Sequence, residues 1–276
     1  MTKDITIVAV DTYAHELARF AIERTCRALP CKEVLVLSDK NIYPDGRWVE
    51  INPLNIEEYN KIMIKHLWPF IRTEHILVVQ YDGMAVNSEL WSDEFLQYDY
   101  IGAVWPWPHH KPGFKVGNGG FSLRSRKLLH LLKDKRVVED VKYPMYEDLY
   151  IGVHYKEHLL KQGAVIASEE IAKQFSHEHY PGKHDTFGFH GSFNVPYYLN
   201  EEDAVKFIEL IPAWTSEATA MMIPHCFAAG KPELGKLALA LARKTTPDID
   251  ARIKAVLKSV PELGLSVNQH LGAMLK

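Results

Sequence analysis

Three short segments of the sequence place acid or histidine side chains in positions suited to chemistry. The first is QYDG at 80–83, where an acid and a glycine directly follow a very apolar run. An acid at the end of a buried strand lies at the edge where open α/β sheets bind ligands, and it suits a divalent cation that bridges diphosphate oxygens. The alternative is that Asp82 and Gly83 only form a turn.

The second segment is YEDLYIG, which places Glu147 and Asp148 at the start of a helical pattern. Acids are favoured at helix starts by the helix dipole, and this alone would explain the pair. A carboxylate held there is also suited to act as a general base that takes a proton from a hydroxyl group. The residues by themselves leave both interpretations open.

The third segment holds four histidines, at positions 177, 179, 184 and 190. Their spacings match no common zinc signature, although a metallohydrolase built on the cluster remains a hypothesis. His190 lies between Phe189 and Gly191 and, paired with a distant carboxylate, would suit Mn²⁺. The alternative is a hydrogen-bonded structural histidine.

Two other segments are unusual in composition. WPWPHH at 105–110 sets Trp105 and Trp107 among prolines. Exposed indoles there would stack on a sugar ring or a base, and the alternative is that at least one of them fills the core. Asn118, Gly119 and Gly120 contribute almost no side chain, which indicates either a tight turn or a close approach to the backbone.

The totals exclude several classes of function. The 276 residues are 47% hydrophobic and carry a formal net charge of -3, so the clustered positive charge of a nucleic-acid-binding protein is missing. Three cysteines without a CxxC pair form no disulfide framework and indicate a reducing, cytoplasmic setting. We expect no signal peptide and no transmembrane segment, because no apolar run is long enough.

The first half of the sequence alternates strands and helices. Apolar runs predict strands at 4–11, 33–39, 47–52 and 75–83, and amphipathic stretches predict helices at 13–29 and 56–70. This order predicts an α/β domain whose largely parallel, Rossmann-like sheet is flanked by helices. Asp11, Asp39 and Asp82 stand at the carboxyl ends of its strands, where ligands bind.

The remainder is organised differently. Beyond Gly83 we predict strands at 98–107, 119–125 and 164–168 and a helix at 146–163, which makes the sheet mixed. Pro232, Pro247 and Pro261 each precede an acid and indicate helix starts. The sequence thus predicts a catalytic domain at 1–200 and a helical region at 201–276. Its amphipathic helices would pack on that domain, on a second copy or on a membrane surface.

Taken in order, these segments resemble a known group of enzymes. QYDG, an aromatic strand, GNGGFSLRS, YEDLYIG and FGFHG are similar to motifs of GT-A-fold glycosyltransferases. GGFSLRS with EDLYIG resembles the inverting β-1,3-glycosyltransferase and fringe group, and most of residues 1–195 resemble a bacterial domain family of unassigned function. The resemblance implies a GT-A-like mixed sheet and inverting transfer from a nucleotide-sugar donor to a glycan hydroxyl.

The resemblance also assigns roles by position. It implies that Asp82 and His190 bind Mn²⁺ or Mg²⁺ and that Asp148 is the catalytic base, with Glu147 beside it. Because an ordinary aspartate is ionised near pH 7, we expect Asp148 to need no large pKa shift. We assign Trp105 and Trp107 to the acceptor. The residues assigned to the donor, for which a UDP-sugar is favoured, are Val10, Asp11, Asp39, Gln80, Tyr81, Asp82, Asn118, Gly119 and Gly120.

One residue departs from the pattern of these enzymes. The first acid of their Asp-x-Asp motif is Gln80 here, which brings no charge and puts metal dependence in question. The alternative to a transferase is therefore a catalytically inactive module that binds a nucleotide-sugar or a glycan. The resemblance implies surface polysaccharide biosynthesis as the setting.

Overall fold

The computed structural model describes residues 2–106, 113–133, 146–179, 182–214, 216–260, 263, 271 and 274–275. The chain divides into two compact units. The first comprises Met1–His179 and Asp185–His190, and the second comprises Tyr180–His184 and Gly191–Lys276. The predicted boundary between residues 200 and 201 stays a prediction.

The described strands of the first unit form one large sheet and two small ones. They are β1 (Lys3–Val10), β2 (Cys31–Ser38), β3 (Arg47–Glu50), β4 (His75–Val79), β5 (Gly83–Ala85), β6 (Tyr100–Ile101), β7 (Ala103–Val104), β8 (Val116–Gly117), β9 (Phe121–Ser125), β10 (Ser176–His177) and β11 (Gly188–His190). The large sheet has the order β3-β2-β1-β4-β9-β6. Its first four strands are parallel, whereas β9 runs antiparallel to β4 and β6. The predicted mixed α/β sheet is confirmed.

Two predicted strands depart most from expectation. The stretch 98–107 contains two short strands, β6 and β7, on either side of Gly102, where a Cβ would lie 1.6 Å from the carbonyl oxygen of Gly117. The stretch 164–168 contributes only an isolated bridge between Tyr100 and Ile166.

The sheet is covered on both faces. Residues that alternate along a strand share a face, and one face packs into a cluster of Val8, Val10, Leu35, Leu37, Ile76 and Val78 with Met63, Leu67, Ile71 and Leu129. The residues on the opposite face of β1, Ile5 and Ile7, are also fully buried. Burial on both faces is what a parallel arrangement requires, and it explains why these strands are almost continuously apolar.

A small sheet brings three distant segments together next to the carboxyl end of β4. β11 pairs antiparallel with β5, so that His190 stands opposite Gly83. β10 pairs parallel with β11, which aligns His177 with Phe189. The residues that follow β10 and end β11, Glu178 and His190, are therefore held side by side.

The helices of the first unit follow the predicted pattern with local changes. Its described α-helices are His15–Ala28, Ile56–Lys61, Arg126–Leu132, Glu147–Leu149, Lys156–Lys161 and Glu169–Phe175, the last of which was not predicted. Beyond Lys61 the predicted helix continues as a π-helical turn, Ile62–His66. The helix predicted at 146–163 contains another, Tyr150–His154, and stops before Gly163, whose φ of 83° is left-handed.

The second unit contains the helices Val195–Tyr198, Glu201–Leu210, Glu217–Ala228, Pro232–Thr245 and Ile249–Ser259. The helix starts predicted at Pro232 and shortly after Pro247 are confirmed. The start predicted at Pro261 lies outside the described residues. Within the residues that the structure describes, no helix combines the length and apolarity needed to cross a membrane.

Candidate active site

The GNGG segment makes a tight turn just before β9. Asn118 adopts a left-handed conformation with a φ of 72°, which asparagine tolerates better than most residues. Its side-chain Oδ1 accepts a hydrogen bond from the Phe121 N–H at 3.0 Å, and its carbonyl oxygen accepts one from the Tyr100 hydroxyl at 2.9 Å. The turn is therefore fixed by its own asparagine and by a buried tyrosine.

The two glycines of this turn make room for side chains of the protein itself. A Cβ on Gly119 would lie 1.8 Å from Oε1 of Glu147. A Cβ on Gly120 would lie 2.1 Å from Nε2 of His190. The sequence predicted a close approach to this backbone, and the structure shows that Glu147 and His190 make it. Contact of Gly119 and Gly120 with a donor stays a prediction.

His190 is surrounded by polar groups on both of its ring nitrogens. Nε2 lies 3.3 Å from Oδ1 of Asp82 and 3.2 Å from Oε1 of Gln80. Nδ1 lies 2.8 Å from Oε1 of Glu178 and 2.8 Å from Nδ2 of Asn118. The structure thus brings together four residues that the sequence analysis singled out, and it adds Glu178 to them.

The charges in this group stabilise one another. Burial of the ring lowers the pKa of His190, but the carboxylates of Asp82 and Glu178 outweigh this effect and raise the pKa well above its usual value. Burial raises the pKa of Glu178, but hydrogen bonds from His179 and His190 outweigh it and the pKa falls far below its usual range. The two carboxylates therefore favour the protonated form of the ring.

The donor atoms around Nε2 fit a divalent cation. When two ligand atoms each lie about 2.1 Å from a cation and at right angles to each other, they are about 3.0 Å apart. The distances from Nε2 of His190 to Oδ1 of Asp82 and to Oε1 of Gln80, 3.3 and 3.2 Å, are close to this value. Oxygen donors with one imidazole suit Mn²⁺ or Mg²⁺. Within the described residues, no three His, Cys, Asp or Glu side chains form a metal-binding group. A cation here would therefore take further ligands from a substrate or from water.

The same result bears on the histidine cluster. His177, His179, His184 and His190 all lie within the described part of the chain, and they form no group of metal ligands. His179 instead pairs with Oε2 of Glu178 at 2.7 Å. The described residues therefore give no support to a metallohydrolase built on this cluster.

Glu147 is engaged in a buried ion pair. Its Oε1 accepts a hydrogen bond of 2.8 Å from Arg124, and the two side chains are only 5% and 0% exposed. The Glu147 N–H also donates to Oδ1 of Asn60 at 3.1 Å. Arg124 donates in addition to Ser122 at 3.0 Å. Glu147 is thus held by a buried cation, and its assignment beside the catalytic base stays a prediction.

Asp148 has a different environment, although it is the next residue. Its Oδ1 accepts a hydrogen bond from the Leu149 N–H at 2.7 Å. Burial first, and then the negative charges of Glu147 and Glu178, raise the pKa of Asp148 to about 7. This corrects the expectation of an ordinary pKa. Asp148 thus interacts electrostatically both with an acid of the buried ion pair and with Glu178 of the His190 group.

A pocket of about 260 Å³ opens at the carboxyl ends of β1 and β4. Four of the residues assigned to the donor line it, namely Val10, Asp11, Gln80 and Tyr81, and so do Tyr13 and Tyr59. Asp11 accepts hydrogen bonds from the Tyr13 and Ala14 N–H groups at 2.9 and 2.7 Å. Burial raises the pKa of Asp11, and these hydrogen bonds offset only part of that effect.

Asp39, Trp105 and Trp107 remain of the predicted site residues. Oδ1 of Asp39 lies 2.6 Å from Nε2 of His15, and this hydrogen bond lowers the pKa of Asp39. Trp105 is 5% exposed and its indole fills the space above Gly117 and Gly152, so its assignment to the acceptor is corrected to a role in the core. Trp107 lies outside the described residues.

Sequence reasoning did not single out three residues of the site. Glu178 lies inside the histidine cluster, between two of its histidines, and no local pattern marks it. Arg124 interrupts an apolar strand, and a charge at such a position indicates a buried partner. Tyr59 lies in the helix Ile56–Lys61, and its hydroxyl accepts a hydrogen bond of 2.7 Å from Nε2 of Gln80.

Comparison of the sequence with known protein families gives a match. A family described as a protein of unknown function, DUF5672, matches residues 49–190, just over half of the chain. Comparison with curated proteins gives no match. The resemblance to a domain family of unassigned function is thereby confirmed, whereas the resemblance to the fringe group stays a prediction.

Solved structures give distant likenesses. A glycosyltransferase that glycosylates the major capsid of PBCV-1 is 14% identical with a TM-score of 0.44, over 67% of this chain and 92% of that one. The galactosyltransferase LgtC with donor and acceptor sugar analogs is 16% identical with a TM-score of 0.44, over 86% and 95%. Bifunctional IspDF from Campylobacter jejuni is 12% identical with a TM-score of 0.37, over 60% of this chain and 49% of that one. At such identities and TM-scores, these likenesses assign no function to this chain.

Proposed function

The chain belongs to DUF5672, a family described as of unknown function, and we propose that it transfers a sugar from a nucleotide-sugar donor to a hydroxyl group. One observation carries the proposal. Asp148, with a pKa raised to about 7, directly follows Glu147, and Glu147 and His190 approach the two adjacent glycines of one turn. We take Asp148 as the base and the His190 group as cation ligands at the carboxyl edge of an α/β sheet, where ligands bind.

Asp148 is the base in this proposal. Its carboxylate takes the proton of the acceptor hydroxyl, whose oxygen attacks the anomeric carbon of the donor. The bond between that carbon and the diphosphate breaks, and the nucleoside diphosphate leaves with the electron pair, which inverts the anomeric carbon. A base works best when its pKa lies near the operating pH, and a pKa of about 7 meets that condition.

Asp82 and His190 would hold a Mn²⁺ or Mg²⁺ ion, with the neutral amide oxygen of Gln80 beside them. When bound, such an ion offsets the charge that develops on the departing diphosphate. Asp82 is 4% exposed, so its carboxylate is oriented before any ligand arrives. The amide of Gln80 adds no charge, and we therefore expect weaker metal binding than at a site with two acids.

The pocket beside β1 and β4 would take the nucleoside of the donor. Tyr13 and Tyr81 stand edge to face, with their ring centroids 6.4 Å apart, and Tyr13 offers an exposed ring on which a base can stack. A UDP-sugar as donor, a glycan as acceptor, and surface polysaccharide biosynthesis in the cytoplasm belong to the same proposal.

The test is a donor screen with the purified chain. Incubation with UDP-, GDP- and dTDP-sugars and Mn²⁺ should give slow hydrolysis of one donor even without an acceptor. Asp148→Asn should lower that rate by about 10²–10⁴-fold while the donor still binds, and Glu89→Gln, at an exposed acid, should leave it unchanged. Full activity of Asp148→Asn would refute the role of this base.

A second candidate function is a binding module without catalysis. It is favoured by Gln80, whose amide is already engaged by Tyr59 and faces His190. Thermal stabilisation by a nucleoside diphosphate, with no turnover of any donor, would support this alternative against the transferase.

A further inference from the structure

We propose that Glu178 is a positioning residue that holds the His190 ring so that Nε2 points to the metal site. This inference rests on the proposed metal-dependent function, and it concerns a residue to which the family resemblance assigns no role. Glu178 acts through Nδ1 of the ring, the nitrogen to which its Oε1 lies 2.8 Å away.

The geometry of the ring carries the first step. Imidazole has two nitrogens on opposite sides, and a hydrogen bond at one of them fixes what the other can do. Oε1 of Glu178 lies 2.8 Å from Nδ1 of His190. Nδ2 of Asn118 lies equally close to Nδ1, but two N–H donors cannot bond to each other, so Glu178 is the partner of Nδ1 whenever this nitrogen carries the proton. Nε2 is then left facing Asp82 and Gln80 at 3.3 and 3.2 Å.

The backbone carries the second step. β10 and β11 are parallel neighbours, so the residue after β10 and the last residue of β11 must lie next to each other. β5 pairs with β11 on its other side, which places His190 opposite Gly83 and next to Asp82. The carboxylate, the ring and the metal site are therefore held in line by one small sheet.

The surroundings of Glu178 carry the third step. Its second oxygen lies 2.7 Å from Nε2 of His179, and the residue is only 9% exposed. A carboxylate that is held at both oxygens has little freedom to turn away from the ring. Carboxylates that bind the far nitrogen of a metal-binding histidine orient the ring and raise its basicity, and their loss typically weakens metal binding by about 10–100-fold.

Binding of Mn²⁺ alone, with no nucleotide, tests the inference by a readout that does not depend on turnover. Electron paramagnetic resonance of free Mn²⁺ gives the dissociation constant for wild type, Glu178→Gln and Glu178→Asp. We expect Glu178→Gln to raise this constant by about 10–100-fold and Glu178→Asp, which keeps the charge, to recover part of the loss. The matched control is Glu170→Gln, at an exposed acid on the preceding helix, which should bind as wild type does.

The outcomes separate this inference from the proposed function. If wild type binds Mn²⁺ and Glu178→Gln binds it equally well, Glu178 has no positioning role, while the metal site stands. Reduced thermal stability of Glu178→Gln with unchanged affinity would also overturn the inference, because it indicates a purely structural ion pair. If Glu178→Gln does not fold, Glu178→Asp decides, and equal affinity to wild type overturns the inference. If wild type binds no Mn²⁺, the metal site fails and this role fails with it.

Discussion

Glu147 and Asp148 are neighbours in the chain, yet their carboxylates lie in opposite electrostatic regions. Glu147 faces the guanidinium of Arg124 at 2.8 Å, deep in the protein. Burial first, and then the charges of Glu147 and Glu178, raise the pKa of Asp148 to about 7. No ion pair to Asp148 occurs among the described residues. One acid thus has a buried cation as its partner, whereas burial and two neighbouring acids push the other towards its neutral form.

This difference indicates a structural role for Glu147 and a chemical role for Asp148. Glu147 is committed to a buried ion pair with Arg124, which suits it to hold the loop and the helix start together. An acid with a pKa near neutrality can gain and lose a proton during turnover. His190 combines features of both acids. Its ring is paired with carboxylates, yet a metal ion can take the place of a proton on Nε2.

The largest expected effect comes from removing the cation of the buried pair. Arg124→Met should lower the free energy of unfolding by about 3–5 kcal/mol, because Glu147 is then buried without its partner. Urea denaturation measures this change. Arg126→Met, at a half-buried arginine over the Trp68 ring, is the matched control and should cost about 1 kcal/mol or less. Equal effects of the two substitutions would contradict the importance of the buried pair.

In the second unit, the buried His225 gives another test of how burial disfavours a charged group. His225 is 2% exposed and its Nδ1 lies 3.1 Å from the Tyr197 hydroxyl. Burial lowers the pKa of His225 to about 4, so the unfolded chain binds a proton below about pH 6.5 that the folded chain rejects. Stability should therefore be full above pH 6.5 and fall by about 3 kcal/mol as the pH drops to 4.

The control for this pH dependence is the variant His225→Gln. Unfolding by urea between pH 7 and 4 should show a drop in stability that is smaller by about 3 kcal/mol than in wild type. If both proteins lose stability in parallel, then His225 is not the group that titrates.

A smaller effect distinguishes the two neighbouring acids directly. A carboxyl with a raised pKa opposes folding when it is ionised, so Asp148→Asn at pH 8 should increase the free energy of unfolding by about 1–3 kcal/mol. Glu147→Gln should instead decrease it, since Arg124 loses its partner. Urea denaturation of the two variants at pH 8 measures both changes in the free energy of unfolding. If the two changes have the same sign, the proposed difference between Glu147 and Asp148 is wrong.

The smallest effect concerns the pH dependence of the proposed activity. If Asp148 must be ionised, kcat/KM should fall about tenfold for each pH unit below 7 and should level off above it. Initial rates of donor turnover between pH 5.5 and 8.5 measure this profile. A rate that stays constant down to pH 5.5 would show that the base has an ordinary pKa.

Sequence reasoning predicted the regular elements of the parallel part of the fold. The runs at β1, β2 and β4 and the helix starts near Pro232 and Pro247 are patterns of neighbouring residues, and such patterns reflect which face of an element is buried. The strand ends then predicted the edge of the sheet where Asp82 and Gln80 stand. The same local reasoning did not predict the interruption of the strand at Gly102, where the backbone lies close to that of Gly117.

What the sequence by itself determined is therefore the order of the elements and the identity of the polar residues at their ends. Only the tertiary structure decided which of these residues act on one another. The pairing of β5, β10 and β11 brings Glu178, His190 and Asp82 together from distant parts of the chain, and the pKa of Asp148 depends on Glu178, which lies thirty positions away in sequence. Electrostatic interactions depend on distance in space, and a local sequence pattern contains no such distances.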